Sequence, residues 1–181
     1  MHLMFLTQYY QGFRPHLSIV HKFLVFAIIQ TNTKGCFMLD FVPVSPDNWR
    51  VPLSVSPDQA EFVADKVTTL ARAFAYRMFD SQAYLIYQQD CPIGLILYHD
   101  FPERQAYLIS EFFIDSNYQR QGLGRQAMTQ LLEKFRSERK FSAVQLCILS
   151  QNTPAKALYQ SLGFVETGEY DEDEIILRLE F

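Results

Sequence analysis

The chain has 181 residues, of which 49% are hydrophobic and 15% aromatic, which is enough material for one well-packed domain. Its formal net charge of −4 argues against a general nucleic-acid-binding protein, because such proteins carry a basic face. The cysteines Cys36, Cys91 and Cys147 are widely spaced and form no C-x-x-C pair. They indicate reduced thiols of a cytoplasmic protein and no metal site.

Residues 1–37 differ in charge from the rest of the chain. They carry a net charge of +3 with no acidic residue, which leaves −7 for residues 38–181. Their apolar run, residues 23–29, is shorter than the roughly 20 residues that span a bilayer, and no Ala-x-Ala-like cleavage site follows it. We therefore expect no membrane partner. We interpret residues 1–37 as a poorly ordered extension or as the result of a start codon placed too far upstream, and residues 38–181 as the domain.

From residue 38 onward, hydrophobic periodicity predicts a series of strands and helices. Helices are predicted to begin at Pro57, Gly124 and Asn152, and the first of them is expected to bury an apolar face that includes Val67 and Phe74. The predicted strands are residues 39–45, 81–88, 93–98, 107–114, 144–149, 164–167 and 175–181.

The second helix joins two strands that must run parallel, because a strand-helix-strand crossover returns the chain in the same direction. The short links between the other strands predict antiparallel pairs. The sequence therefore predicts an α/β (α+β) fold, with a mixed, mostly antiparallel sheet and helices on its faces.

A glycine-containing loop precedes the second helix. Gly122 and Gly124 permit a tight turn with outward-pointing N–H groups, and the helix dipole behind them favours an anion. The lysine of a Walker A loop is absent, and position 127 is alanine where a dinucleotide fingerprint has its third glycine. The loop alone is thus either an anion site or only a turn.

Two segments together carry a more specific resemblance. The first reads Gln-x-x-Gly-x-Gly over residues 119–124, and the second reads Asn-x-x-Ala-x-x-Leu-Tyr-x-x-x-Gly-Phe over residues 152–164. At this spacing they resemble the acetyl-CoA site of the GNAT superfamily of N-acetyltransferases, over residues 38–181. Residues 53–59, 62–64, 112–115 and 167–174 are most similar to the polyamine N-acetyltransferases, which act on spermine and spermidine.

The resemblance implies a sheet splayed between its fourth and fifth strands, acetyl-CoA as co-substrate and no metal. It implies that the backbone of Phe112, Phe113 and Ile114 pairs with the pantetheine arm. Asn152 would contact the coenzyme, cap the last helix, or do both. The arginines of the loop would bind phosphate or form a solvated helix end. The residues implied to hold the pyrophosphate are Gln119, Arg120, Gln121, Gly122, Leu123, Gly124 and Arg125.

Tyr159 is the candidate general acid, because a phenol can donate a proton to the departing coenzyme A thiolate. Its alternative role is core packing beside Leu158 and Leu162. Glu111 is the candidate general base, or else a surface charge. Some polyamine acetyltransferases have an acidic residue where this chain has Ser110, and strict strand alternation would put Glu111 on the opposite face. A bulge in this strand could change that.

We expect an acetyl-CoA-dependent N-acetyltransferase in which a primary amine, most favourably a polyamine, attacks the thioester directly. The acidic residues 169–174 could attract a polycation, although such a run is also typical of a solvated turn. Two alternatives stay open: a non-catalytic acyl-CoA-binding or regulatory module, and an enzyme acting on a peptide N-terminus or another small amine. The apolar, aromatic composition permits a homodimer.

Overall fold

The computed structural model of the protein describes residues 38–181, and the predictions for residues 1–37 lie outside them. The strands are β1 (Asp40–Pro43), β2 (Gln82–Gln88), β3 (Cys91–Phe101), β4 (Ala106–Ile114), β5 (Ala143–Leu149), β6 (Val165–Asp171) and β7 (Glu174–Glu180). The helices are α1 (Lys66–Ala75), α2 (Leu123–Glu138) and α3 (Thr153–Ser161). All seven strands form one sheet in the order β1-β2-β3-β4-β5-β7-β6.

Strands β4 and β5 run parallel, and the other neighbouring strands of the sheet are antiparallel. Ala106 lies opposite Ala143 at one end of the parallel pair, and Ile109 lies opposite Leu146 at the other. Beyond that point the strands diverge, although β4 continues to Ile114 and β5 to Leu149. The predicted mixed sheet, splayed between its fourth and fifth strands, is confirmed.

The core lies on both faces of the sheet. On one face, α2 packs against the sheet, and the Phe135 ring stacks on Tyr107 with ring centroids 3.9 Å apart. On the other face, Leu95 and Phe113 pack against residues 44–63. Because successive strand residues point to opposite faces, Leu95 and Ile96 of β3 enter different clusters. Both faces of the central strands are therefore covered.

The prediction that the first helix begins at Pro57 is wrong. The helix begins at Lys66, because Asp65 caps it by accepting a hydrogen bond from the Thr68 N–H at 2.9 Å. The predicted buried face is also wrong, since Val67 and Phe74 are 66% and 68% exposed. Phe62 and Val63, which belong to the predicted apolar pattern, lie in the non-helical segment before the cap and do not set the phase of the helix.

Candidate functional site

A cavity of about 550 Å³ lies where β4 and β5 diverge. Because the strands separate there, side chains from elements on both faces of the sheet reach a common space. The cavity is lined by β4, β5, α3, the residues 61–64 before α1, and the C-terminal part of α1. The charged, polar and tyrosine side chains that line it include Glu61, Arg72, Tyr76, His99, Ser110, Glu111, Asn152, Tyr159, Asp171 and Glu174.

A β-bulge at Ser110 aims Glu111 into this space. Leu97 of β3 pairs with Glu111, but the next residue of β3, Tyr98, pairs with Ile109, so Ser110 is an extra residue in β4. The extra residue reverses the alternation: Ile109 belongs to the cluster under α2, whereas Phe113 belongs to the cluster on the other face. Without the bulge, Glu111 would point under α2 with Ile109.

The Glu111 carboxyl is 8% exposed and sits among groups with opposing effects. Burial raises its pKa to about 7, while the backbone N–H of Ala64 and the positive charge of Arg72 oppose that rise. The Arg72 Nη1 atom lies 3.4 Å from Glu111 Oε2 and also donates to the carbonyl oxygen of Ser110 at 3.2 Å. A carboxyl with this pKa can accept a proton at neutral pH.

Tyr159 approaches the cavity from α3. The residue is 6% exposed, and its ring packs edge-on against Phe164 with centroids 5.6 Å apart. Burial, followed by the charge of Glu111, raises the pKa of the Tyr159 hydroxyl. The phenol therefore stays protonated over the physiological range. Tyr159 therefore both packs in the core and lines the cavity.

Asn152 occupies the cap position of α3 and the wall of the same cavity. Its Oδ1 atom accepts a hydrogen bond from the Ala155 N–H at 3.2 Å, which is the capping role that the sequence allowed. Because the residue also lines the cavity, capping does not remove it from the site.

The loop before α2 has the backbone geometry of an anion site. Gly122 has φ of +79° and Arg120 has φ of +59°, and the helix begins at Leu123 without a capping side chain. The first N–H groups of α2 are consequently left for water or a ligand. An added Cβ at Gly122 would meet no atom within 4 Å, so lack of space does not require glycine there. The left-handed backbone does favour it.

The side chains of this loop differ in their surroundings. Gln119 donates to the carbonyl oxygen of Ile114 at 2.8 Å and to Gln59 Oε1. Gln121 donates to the Asn117 carbonyl at 3.3 Å, and Leu123 is buried in the core under α2. The Gln119 amide thus connects the loop to the end of β4 and to the segment before α1.

The two loop arginines lie on the surface. Arg125 donates to Ser161 Oγ at 2.5 Å, which connects α2 to the end of α3, and Arg120 is exposed. Of the three strand residues, Phe112 and Ile114 contact the core under α2, and Phe113 is buried on the opposite face.

The acidic residues 169–174 are only partly directed at the cavity. Asp171 and Glu174 line it, and burial together with Asp171 raises the pKa of Glu174. Glu169 instead pairs with Arg104, with 2.8 Å between Oε2 and Nη2.

Sequence reasoning missed Arg72, Tyr76 and His99 as cavity residues. Arg72 and Tyr76 lie at the end of a helix whose start was misplaced, and His99 lies in the part of β3 beyond the predicted strand. Residues 93–98 are a continuous apolar run, so no polar alternation marks His99 as a further strand residue.

Membrane-spanning helices and metal-binding clusters can be assessed for residues 38–181. In this range no helix is both long enough and apolar enough to cross a membrane. Within the same residues, His, Cys, Asp and Glu side chains form no group of three that could hold a metal ion.

Two parallel strands that splay around a cavity and are connected through a glycine loop at a helix N-terminus are typical of the acetyltransferase class. Residues 46–164 match the model of the Acetyltransferase (GNAT) family. The chain belongs to this family and is an acyltransferase.

Relatives of this chain agree with that assignment. It is 30% identical over 125 residues to the spermine/spermidine N(1)-acetyltransferase of Bacillus subtilis (strain 168), covering 66% of this chain and 81% of that protein. An acetyltransferase from Thermus thermophilus has a similar fold, with a TM-score of 0.64, 21% identity, and coverage of 80% of this chain and 97% of that one. A GNAT family acetyltransferase from Elizabethkingia anophelis with acetyl-CoA bound has a TM-score of 0.57, 17% identity, and coverage of 79% and 98%.

Proposed function

We propose that the protein is a cytoplasmic N-acetyltransferase that moves the acetyl group of acetyl-CoA to a primary amine, most favourably a polyamine such as spermine or spermidine. The observation that carries this proposal is the cavity at the splayed strands, which the buried carboxyl of Glu111 and the buried phenol of Tyr159 both line. A base and an acid around one space are what amine acetylation requires.

Each of the two groups has one proton to move. Acetyl-CoA, when bound, supplies the activated acetyl group and a thiolate leaving group. The attacking nitrogen needs a lone pair, so the ammonium form of the amine first loses one proton to solvent, and Glu111 accepts the next proton as the bond to the carbonyl carbon forms. Tyr159 donates its hydroxyl proton to the sulfur as the carbon–sulfur bond breaks, so that free coenzyme A leaves as a thiol.

The residues around the loop fit a coenzyme with an anionic end and an extended arm. The start of α2 offers backbone N–H groups beside the positive side chain of Arg120. After Ile109, β4 no longer pairs with β5. Arg72 donates to the carbonyl of Ser110, and Gln119 donates to the carbonyl of Ile114. The backbone groups between these two carbonyls on the β5 side can pair with a pantetheine arm.

The charge of the cavity supports a cationic substrate. Glu61, Asp171 and Glu174 join Glu111 on its wall, against Arg72 as the basic residue. An acidic wall attracts an amine with more than one positive charge more strongly than an amine with one. The similarity to a spermine/spermidine acetyltransferase points to the same substrate class.

The test is release of free thiol from acetyl-CoA with spermine, spermidine, putrescine, butylamine and a peptide with a free N-terminus. We expect turnover with the polyamines first. Turnover with the peptide alone would replace the polyamine by a protein substrate. Tight binding of coenzyme A with no turnover on any acceptor would instead show a non-catalytic module.

We expect Arg120→Ala to weaken coenzyme A binding about tenfold, because a charge-assisted contact to phosphate is lost. Titration calorimetry at two salt concentrations measures it, and the loss should be smaller at high salt. Arg136→Ala is the matched control: this exposed arginine at the other end of α2 lies over the Phe181 ring. Equal effects of the two substitutions would mean that the loop has no specific role in phosphate binding.

A further inference from the structure

His99 lies on the cavity wall and takes no part in the two proton transfers described above. It belongs to β3 and is 5% exposed. Its Nδ1 atom lies 2.8 Å from the carbonyl oxygen of Asp100. A carbonyl can only accept, so Nδ1 carries a proton, and in the neutral imidazole Nε2 is then the acceptor. The imidazole also stacks on Tyr76, with centroids 4.6 Å apart and planes 14° apart, which fixes its orientation.

His99 lines the cavity, and its Nε2 atom has no hydrogen-bond partner among residues 38–181. The atom is also not fully buried. Within the same range, the fully buried side-chain nitrogen or oxygen atom without a hydrogen-bond partner is Ser81 Oγ, not His99 Nε2. Asp100 holds the ring edge that bears Nδ1, and Tyr76 covers one ring face. We therefore take the remaining edge, which bears Nε2, to be the part of His99 that lines the cavity. A nearly buried acceptor of this kind favours a ligand with a donor.

The position of His99 relative to Glu111 indicates which kind of ligand could supply the donor. Glu111 pairs with Leu97, and His99 lies two residues further along β3 on the same face. Two residues of a strand span about 7 Å and neighbouring strands lie about 5 Å apart, so the backbones at His99 and Glu111 are roughly 8 Å apart. This span is comparable to the separation of the two nitrogens in a short aliphatic diamine.

We infer that His99 Nε2 accepts a hydrogen bond from the second amino group of a diamine or polyamine whose first amino group lies beside Glu111. The inference rests on the proposed amine acetylation and specifies its substrate as an amine with two nitrogens. His99 thereby selects diamines over monoamines of the same length, because a monoamine leaves Nε2 unpaired.

The experiment compares putrescine with butylamine, which differ only in the second amino group. The measured quantity is the ratio of their kcat/KM values. We expect His99→Phe, which keeps a planar ring against Tyr76 but lacks the acceptor, to lower this ratio about tenfold. His99→Gln, whose amide oxygen can accept, should recover part of it. A ratio that is the same in the wild type and His99→Phe overturns the inference, whether or not both rates fall together.

Failure of the proposed function is distinguishable from failure of this inference. If the wild type acetylates butylamine but the ratio does not respond to His99→Phe, the acetylation stands and the role of His99 falls. If no amine is turned over, binding decides through the ¹⁵N resonance of His99 Nε2, recorded with saturating putrescine and with saturating butylamine. A shift with putrescine alone supports the contact, and equal or absent shifts overturn it.

Discussion

Replacing Tyr159 with phenylalanine should lower kcat by about 10²- to 10³-fold, because a positioned general acid contributes a factor of this size. The dissociation constant of acetyl-CoA should stay within about twofold, since the ring and its edge-on contact with Phe164 are kept. Steady-state release of coenzyme A gives kcat, and calorimetry with the coenzyme gives the dissociation constant.

Tyr107→Phe is the matched control. Tyr107 is 1% exposed and stacked on Phe135, and its hydroxyl donates to Glu138 Oε2 at 3.2 Å, in the core under α2. Its loss should cost about 1 kcal/mol of unfolding free energy and leave kcat within about twofold. If Tyr159→Phe behaves like Tyr107→Phe, the phenol of Tyr159 is a packing group and the sulfur takes its proton from water.

The parts of the site that depend on local sequence could be predicted. Gly122 and Asn152 follow local rules, since a left-handed turn favours glycine and a helix start favours a side-chain acceptor. The parallel pair followed from one helix between two strands, and it brings β4 beside β5, whereas the position of β7 between β5 and β6 was not predicted. The splay came from family resemblance and not from any local rule.

The exact register between neighbouring strands could not be predicted, although the sequence analysis allowed a bulge in β4. The bulge at Ser110 is visible only in the pairing of β4 with β3, and nothing in the sequence of β4 marks it. The choice of Glu111 as a cavity group depends on that one extra residue. Arg72 was missed for a related reason: it reaches Glu111 across 39 positions of sequence, from a helix whose phase depends on the cap at Asp65.

Glu111→Gln is the substitution from which we expect the second large effect on rate. If Glu111 is the base, it must be ionised to accept a proton, so kcat/KM of the wild type should fall below pH about 7, the pKa of the carboxyl. Glu111→Gln should lower kcat/KM by about 10²-fold at pH 8 and abolish this acidic limb. Initial rates across pH 5.5 to about 9 measure both effects.

Glu61→Gln separates proton transfer from simple attraction of a cation. Glu61 is an exposed carboxylate on the same cavity wall. Its loss should raise KM for a polyamine and leave the acidic limb in place. If Glu61→Gln and Glu111→Gln give the same profile, Glu111 contributes only negative charge, and a water molecule or the amine itself releases the proton.

The Glu111→Gln substitution should also change how the unfolding free energy depends on pH. The pKa of Glu111 is about 7 in the folded protein against an ordinary value of 4.5, so the folded state binds this proton more tightly than the unfolded chain. Its contribution to the unfolding free energy therefore falls as pH rises from about 4.5 to 7 and stays low above that. Glutamine does not titrate, so the unfolding free energy of Glu111→Gln minus that of the wild type should increase by about 3 kcal/mol between pH 4.5 and 8.

Urea unfolding at several pH values measures this difference. Arg72 loses its partner in the variant at every pH, which adds a constant offset to the difference, so the informative quantity is its slope with pH. A flat difference would mean that the Glu111 carboxyl is already ionised at pH 5, held by Arg72, and too weak a base for the role proposed here.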